Sequence, residues 1–352
     1  MAYEGAEVSF DVAGASCTAT TGSSGSASCA LAPQSAPDRY DLTVRATIDN
    51  RGTGTIRSFK VTKAATSLKY AGTEHIANDE PTVLKAQLKD AAEQAVPGRE
   101  VDFALGSGDT VQKCGATTDS SGVATCTITK VDQPLNDDGT VPVTAAFSGD
   151  AYYLGSDTTA TVLLQYATGR AYGMSAEVDL PLLPVAVPPQ PDTGQIRTAR
   201  VTRTAPPCSA TVRSLLVDAD GVCAEVVTSL APGRSRAASS AAKVHIGIPG
   251  LPLIEASGIE AVSTSTCEAA TGSTGLTLTI AGQEIPVPEA PNTVIDLGAA
   301  RLIVNEQLRV QDADYGLTVN ALHLTDPAGL IDVVVASATS DAHNCAPKEA
   351  RR

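Results

Sequence analysis

The sequence contains no tryptophan, and aromatic residues make up only 3% of its 352 positions. That shortage removes the flat platform on which sugars and bases usually stack, which weakens glycan binding as a function without excluding it. It also means that a core must be built from Val, Leu, Ile and Ala, with covalent links compensating for thin burial. Positive charge is scarce too: 25 Lys and Arg against 39 Asp and Glu leave a net charge of −14. Nucleic acid is therefore not an expected partner, because phosphate binding needs clustered cations, and the acidity is read as serving solubility. Long apolar runs are missing as well. The most apolar stretch, LPLLPVAVPP (180–189), is short and broken by prolines. No segment approaches the roughly 20 apolar residues of a membrane-spanning helix. The opening MAYEGAEVSF has no basic region followed by an apolar run, so no signal peptide is visible, and the expectation is an upstream start or an excised fragment.

Chemical motifs are absent in the same way. Neither CxxC nor HExxH occurs, and there is no GxSxG elbow or GxxxxGK[ST] loop. The histidines, His75, His245, His323 and His343, are scattered singly. QPDTG (190–194) resembles an LPxTG sorting signal, but polar QIRTARV (195–201) follows it, so it is read as a loop. DADG (218–221) resembles the start of a calcium loop, yet the twelfth residue from Asp218 is Ser229 rather than Glu, and a hairpin turn is expected there. Asn305, Glu306 and Asn320 are polar positions on otherwise apolar strands. Their expected role is hydrogen bonding at buried edges, with a small site as the alternative. No catalytic, metal-binding or cofactor-binding residue is assigned, and the chain is not expected to be an enzyme; a hydrolase survives only if 167–346 forms a cleft with convergent carboxylates.

What the sequence does have is cysteine: eight, an even number, which fits an oxidising compartment and export. CTATTGSSGSASC (17–29) and CGATTDSSGVATC (114–126) place two cysteines at one spacing around a turn-forming centre. A reversal at Asp119-Ser120-Ser121 would oppose Cys114 and Cys126 across a hairpin, at a separation that a disulfide accepts. Cys17–Cys29 and Cys114–Cys126 are therefore expected to be bonded. For the remaining four, Cys208–Cys223 with Cys267–Cys345 is favoured over the two crossed alternatives. The first of these bonds would need a bulge or a longer excursion, because a turn at DADG is off-centre between its cysteines.

Thr, Val, Ser and Gly predominate, and alternating runs are punctuated by turn residues about every ten positions, so the predicted class is all-β, with no sustained helical period. REVDFAL (99–105), VATCTIT (123–129), VPVTAAFSG (141–149) and TTATVLLQY (158–166) read as strands of a sandwich over 64–166. AEVSFDV (6–12) aligns with REVDFAL, and YDLTVRATI (40–48) sits where VPVTAAFSG does, so 1–63 is a second copy. It lacks a counterpart of the leader 66–98, and is expected to be N-terminally truncated.

The V-x-F strand, TTDSSGVAT (117–125), FSGDAYYLGS (147–156) and the closing Val/Thr-rich strand resemble bacterial Ig-like repeat domains of exported surface proteins. That resemblance implies tandem immunoglobulin-like β-sandwiches acting as spacer or adhesive modules. After Tyr166 the texture changes to the proline-rich GRAYGMSAEVDLPLLPVAVPPQPDTG (169–194). NTVIDLGAARLIVNEQ (292–307), LTVNALHLTD (317–326) and IDVVVASATSDAHNC (331–345) follow as further strands. This half, 167–346, is similar to the choice-of-anchor P family of extracellular actinobacterial-type domains, which implies surface display and offers no catalytic residues. A tail, 347–352, completes the chain. The expected function is a non-enzymatic extracellular or cell-surface protein of a bacterium, its Ig-like modules displaying a larger β-rich domain. The alternative is a cell-wall or carbohydrate-binding module with its site in the C-terminal part. Expected partners are an extracellular glycan or protein.

Overall fold

The computed structural model describes residues 2–31, 35–48, 51–181, 183–230 and 233–347. The expected tail 347–352 lies, apart from Pro347, outside the described residues. There is no α-helix among them; the chain runs as antiparallel strands with one short parallel strand pair and an isolated parallel bridge between Ala64 and Tyr153.

The first unit is one sheet of four strands, β1 (Glu7–Val12), β2 (Ala15–Thr20), β3 (Arg39–Ile48) and β4 (Arg51–Lys60), in the order β2-β1-β3-β4. The second is a two-layer sandwich. β5 (Thr66–Tyr70), β7 (Thr82–Asp90) and β10 (Val123–Ile128) form one layer. The other contains β6 (His75–Ile76), β8 (Glu100–Leu105), β9 (Gln112–Thr117), β11 (Thr140–Phe147) and β12 (Ser156–Leu164), in the order β6-β12-β11-β8-β9. The repeat is visible in the ladders. Phe10 opposes Cys17 on one side and Val44 on the other, as Phe103 opposes Cys114 and Ala145. Thus β2-β1-β3-β4 reproduces β9-β8-β11-β12, and the layer that would face it has no counterpart among the described residues.

The consequence is uneven burial. Leu84, Ala86 and Leu88 of β7 cover Val101, Phe103 and Leu105, and all six are essentially inaccessible. In the first unit only Ala6, Val8 and Val12 reach that class among the described apolar side chains, and every residue of β4 is exposed. Hydrogen exchange is therefore expected to show β1–β4 opening at lower free energy than β5–β12; equal protection would contradict the link between cover and stability.

Cys17 and Cys29 are bonded, as are Cys114 and Cys126, but the second pair does not close a hairpin ladder as expected. The chain does reverse at Asp119, whose Oδ1 accepts hydrogen bonds from the N–H of Ser121 (2.8 Å) and of Val123 (3.0 Å). Beyond the turn, however, β10 leaves β9 and pairs with β7, so that Cys126 opposes Leu84 while Cys114 opposes Phe103. The edge of β7 supplies a full ladder that a hairpin would leave unused. The disulfide consequently joins the two layers.

The third unit is a larger sandwich of two seven-stranded sheets. Its strands are β13 (Tyr166–Leu180), β14 (Leu183–Asp192), β15 (Ile196–Thr198), β16 (Thr202–Thr204), β17 (Ser209–Arg213), β18 (Val217–Leu230) and β19 (Gly233–Ile246). They continue with β20 (Ile254–Thr266), β21 (Ala270–Ile280), β22 (Gln283–Ile285), β23 (Thr293–Asp296), β24 (Arg301–Arg309), β25 (Tyr315–Thr325) and β26 (Ile331–His343). One sheet has the order β14-β13-β26-β25-β24-β23 with β15 beside β13; the other is β16-β18-β19-β20-β21-β22 with β17 beside β18.

Three sequence expectations change here. The proline-rich stretch forms β13 and β14, and β14 tolerates its prolines because it is an edge strand with no neighbour on one side. Gln190, Pro191 and Asp192 of QPDTG belong to that strand rather than to a loop, and only Thr193 and Gly194 lie beyond it. DADG is not a turn but the start of β18. The reversal is upstream, where Ser214 N–H bonds the carbonyl of Val217 (3.0 Å). That shift removes the need for a bulge. Ser209 opposes Val222, so the next pair along the same register is Cys208 with Cys223, which are bonded at a Cα separation of 4.4 Å. Cys267 is bonded to Cys345.

Both long sheets carry a transverse kink. Buried apolar positions alternate through Ile331, Val333 and Val335, then resume at Ala336 and Ala338; β25 does the same at Ala321 and Leu322. Asn305 and Ala336 take left-handed backbone (φ 52° and 54°) in this row, and Gly221 and Gly258 (62° and 61°) mark the equivalent row in the other sheet. On one side of the kink the core is Leu, Ile and Val. On the other it is mostly Ser, Ala and Gly, with Val226 and Val319 packed against Gly169 and Gly272, and facing strands such as β19 and β26 approach within 8 Å at Cα, nearer than the ~10 Å usual for stacked sheets. Hydroxyls fill the gap: Ser263 Oγ donates to the carbonyl of Leu317 (2.7 Å), Ser265 Oγ to that of Ser340 (2.8 Å) and Ser235 Oγ to that of Thr168 (2.8 Å). Each links the two sheets.

Candidate functional site

The polar positions singled out on the apolar strands do come together in part. Glu306 and Asn320 oppose each other on β24 and β25. Past the kink their side chains lie on the face away from the core, and the bend leaves both buried there. Asn320 Nδ2 donates to Glu306 Oε2 (2.7 Å), and the same oxygen lies 2.9 Å from His323 Nδ1. His323 Nε2 is 3.1 Å from Asp332 Oδ1. Asn305 points elsewhere, donating to the carbonyl of Glu289 (3.0 Å) and accepting from Gln307 Nε2 (2.9 Å). Asn320 Oδ1 is buried without a hydrogen-bond partner.

This cluster is an ionic clasp across three strands. The hydrogen bond to Glu306 raises the pKa of His323 above its ordinary 6.5, outweighing desolvation. Burial pushes the Glu306 carboxyl up, but the hydrogen bonds from His323 and Asn320 together bring it below its usual range. A histidine raised in the folded state contributes its full stabilisation below the ordinary value and loses it as pH rises through the folded one; Glu306 contributes above the carboxylate range and loses it in acid. The urea midpoint of the third unit is therefore expected to fall from about pH 6.5 upward. His323→Gln should flatten that limb, and an unchanged slope in the variant would refute the assignment. No group of three His, Cys, Asp or Glu able to hold a metal ion occurs among the described residues.

The other histidines are dispersed. His245 pairs with Glu255 across β19 and β20 (3.1 Å). His343 stacks on Tyr166 with ring centroids 4.5 Å apart, and His75 Nδ1 lies 3.1 Å from the carbonyl of Asn344. These two mark a region that no motif announced: the junction of the second and third units. Only Gln165 separates β12 from β13. Asn344 Nδ2 donates to the carbonyls of Gly139 (2.9 Å) and Leu164 (3.0 Å), Asn78 Nδ2 to that of Ala199 (3.1 Å), and the Arg197 guanidinium to those of Asn136 and Asp137 (3.0 and 2.8 Å). Arg200 adds an ion pair with Asp132 (2.6 Å). Beside this seam lies a cavity of about 780 Å³, lined by His75, Glu80, Gln165, Glu268 and Asn344 among others. His75 and Asn344 are 269 positions apart, so only the shortness of the Gln165 connection could have hinted at their meeting.

No protein-family model matches the chain, and no curated protein sequence does. Among solved structures, similarity extends to a tetra-tandem repeat from the extending region of a large adhesion protein (12% identity, 98% of this chain and 93% of that one, TM-score 0.29). It extends also to invasin, a bacterial integrin-binding protein (15%, 95% and 67%, 0.35), and to FdeC, an Escherichia coli adhesin (12%, 97% and 90%, 0.26). At such scores the likeness carries no argument about function. The ladders themselves define the chain as an all-β protein in which immunoglobulin-like sheets precede a larger β-sandwich.

Proposed function

We propose that the chain is a non-enzymatic part of a bacterial extracellular or cell-surface protein, divided as 1–63, 64–166 and 167–346. In this reading the Ig-like units act as spacer and adhesion modules, and the third, of choice-of-anchor P type, is the unit displayed. The observation that carries the reading is the seam at Gln165, where one connecting residue and hydrogen bonds from both sides hold the displayed unit at a set angle to its support. Four disulfides support an oxidising location. Beads coated with the full chain are expected to adhere to cell-surface or matrix preparations, and to release no product from a panel of wall polysaccharides. Turnover of any of these would end the non-enzymatic reading.

The cleft beside the seam, with His75, Glu80 and Glu268 set in a largely apolar lining, favours a second reading, a cell-wall or carbohydrate-binding module. A glycan array separates the two. Specific sub-millimolar binding, weakened by Glu80→Ala or Glu268→Ala, would favour the second.

A further inference from the structure

The sandwich of the third unit has a near end at the seam, where Tyr166 opposes His343 and Arg234 opposes Thr266. At its far end Val217 opposes Ile246, Ile246 opposes Ile254, and Val178 opposes Ile331. Five of the loops that close the far end are 214–216, 247–253, 281–282, 297–300 and 326–330. They contain one charged residue, Asp326, in a chain that is 18% charged. Leu215, Leu253 and Leu330 stand on three of them with 71%, 47% and 39% of their surface exposed. The first two belong to one sheet and the third to the other.

The backbone of these loops is largely closed on itself. Ser214 N–H donates to the carbonyl of Val217 (3.0 Å), Gly247 to Leu216 (2.8 Å), Leu251 to Ile248 (3.0 Å), Ala281 to Leu253 (2.9 Å) and Leu297 to Ala300 (2.9 Å). Pro249, Pro252 and Pro327 have no N–H to satisfy. Asp326 is engaged too, its carboxylate accepting from the N–H groups of Ala328, Leu330 and Ile331 (3.0, 2.7 and 2.7 Å). Such loops lose little when water is removed, because it is the unpartnered backbone group that makes irregular chain costly against lipid.

Behind the tip the charge is one-sided. Within two positions of these loops stand Asp218, Glu255, Glu284, Asp296 and Asp332, and Asp179 lies beside them through its N–H to the carbonyl of Leu330 (2.8 Å). The basic groups at this level are Arg213, His245 and Arg301. Arg213 is held by Asp220 and His245 lies against Glu255.

We propose that this tip is a peripheral binding site for a zwitterionic lipid surface of the phosphatidylcholine type. The three leucines enter the boundary between headgroups and acyl chains, and the acidic collar meets the outward ammonium groups of choline. Three apolar prongs on separate loops call for an occupant that deforms around each of them, as a bilayer does. An anionic bilayer would repel the collar.

The full chain is expected to float with phosphatidylcholine vesicles, and less when phosphatidylserine is added at low salt. Leu215→Ser/Leu253→Ser/Leu330→Ser should weaken partitioning at least about tenfold, with an unchanged urea midpoint because all three side chains are exposed. The chain has no tryptophan, so a single one reports without background. Emission from Leu215→Trp should shift to the blue on the vesicles, whereas Leu308→Trp, exposed near the seam end of β24, should not shift. The proposal is overturned if the chain does not float, if the triple variant floats as well as the parent, or if only phosphatidylserine vesicles bind. A blue shift at Leu308→Trp equal to that at Leu215→Trp overturns it too, as does dimerisation in sedimentation that the triple substitution abolishes.

Discussion

Replacing Cys345 by Ser is expected to lower the stability of the third unit by up to about 4–5 kcal/mol, the chain-entropy value for a closed loop of this length. The bond to Cys267 spans 78 positions and ties the end of β26 to the end of β20, strands that belong to opposite sheets. It therefore closes the sandwich at the end where Ser263, Ser265 and Ser340 fill the core in place of larger apolar groups, and where hydrophobic burial is thinnest. In thermal denaturation the loss should appear as a drop of roughly 10 °C in the midpoint of that unit. Asn344, the preceding residue, holds the seam to the second unit, so the variant should also raise exchange at Leu164, whose N–H donates to the Gly139 carbonyl that Asn344 also bonds. Mass mapping is expected to find one new free thiol, at Cys267, with the other three disulfides intact; a thiol at Cys208 or Cys223 would show that the bonds had rearranged.

The second large effect is expected at Gly173. A Cβ on this residue would overlap Cγ1 of Val222 in the facing sheet, and its other close neighbours are Pro191 and the carbonyl of Gln190, which also offer no room. Overpacking between two sheets with hydrogen-bonded faces cannot be absorbed by rotamer changes, so Gly173→Val should cost about 3 kcal/mol or more. Val222→Ala removes the obstructing methyl, and the pair Gly173→Ala/Val222→Ala is expected to recover most of the loss of Gly173→Ala alone. If the single Gly173→Ala variant unfolds at the same urea concentration as the parent, the close approach of the sheets is not what requires glycine there.

How far these features were legible depended on how local their cause is. Strand alternation in REVDFAL, VPVTAAFSG and IDVVVASATSDAHNC is a property of neighbouring residues, and it sufficed to identify β8, β11 and β26 as strands. The repeat was legible because Cys17 and Cys29 keep the spacing of Cys114 and Cys126, and because AEVSFDV aligns with REVDFAL. The cysteine spacing indicated which thiols meet but not how: Cys126 takes its ladder partner, Leu84, from β7, 42 positions upstream, and nothing within 114–126 says so. The kinks were hidden because Asn305 and Ala336 adopt left-handed backbone under tertiary packing, without the glycine that would announce it. Glu306 and Asn320 stood out as polar residues on apolar strands, whereas Asp332, which completes their clasp through His323, looked like any exposed acid at a strand end.

The adjacency of β13 and β26 has a mechanical meaning. They are the first and last strands of the third unit, they run antiparallel, and Tyr166 opposes His343 at their ends. Chain that continued past residue 347 would depart beside the point at which the second unit enters. Tension along such a polypeptide would cross the third unit at one end only, pulling on a zipper at its first tooth while most of both sheets carried no load. Cys345 lies just outside that first tooth, so the Cys267–Cys345 bond would take up the strain at once and pass it into the opposite sheet. A load applied there would be shared between both sheets through a covalent link placed where the chain leaves the unit.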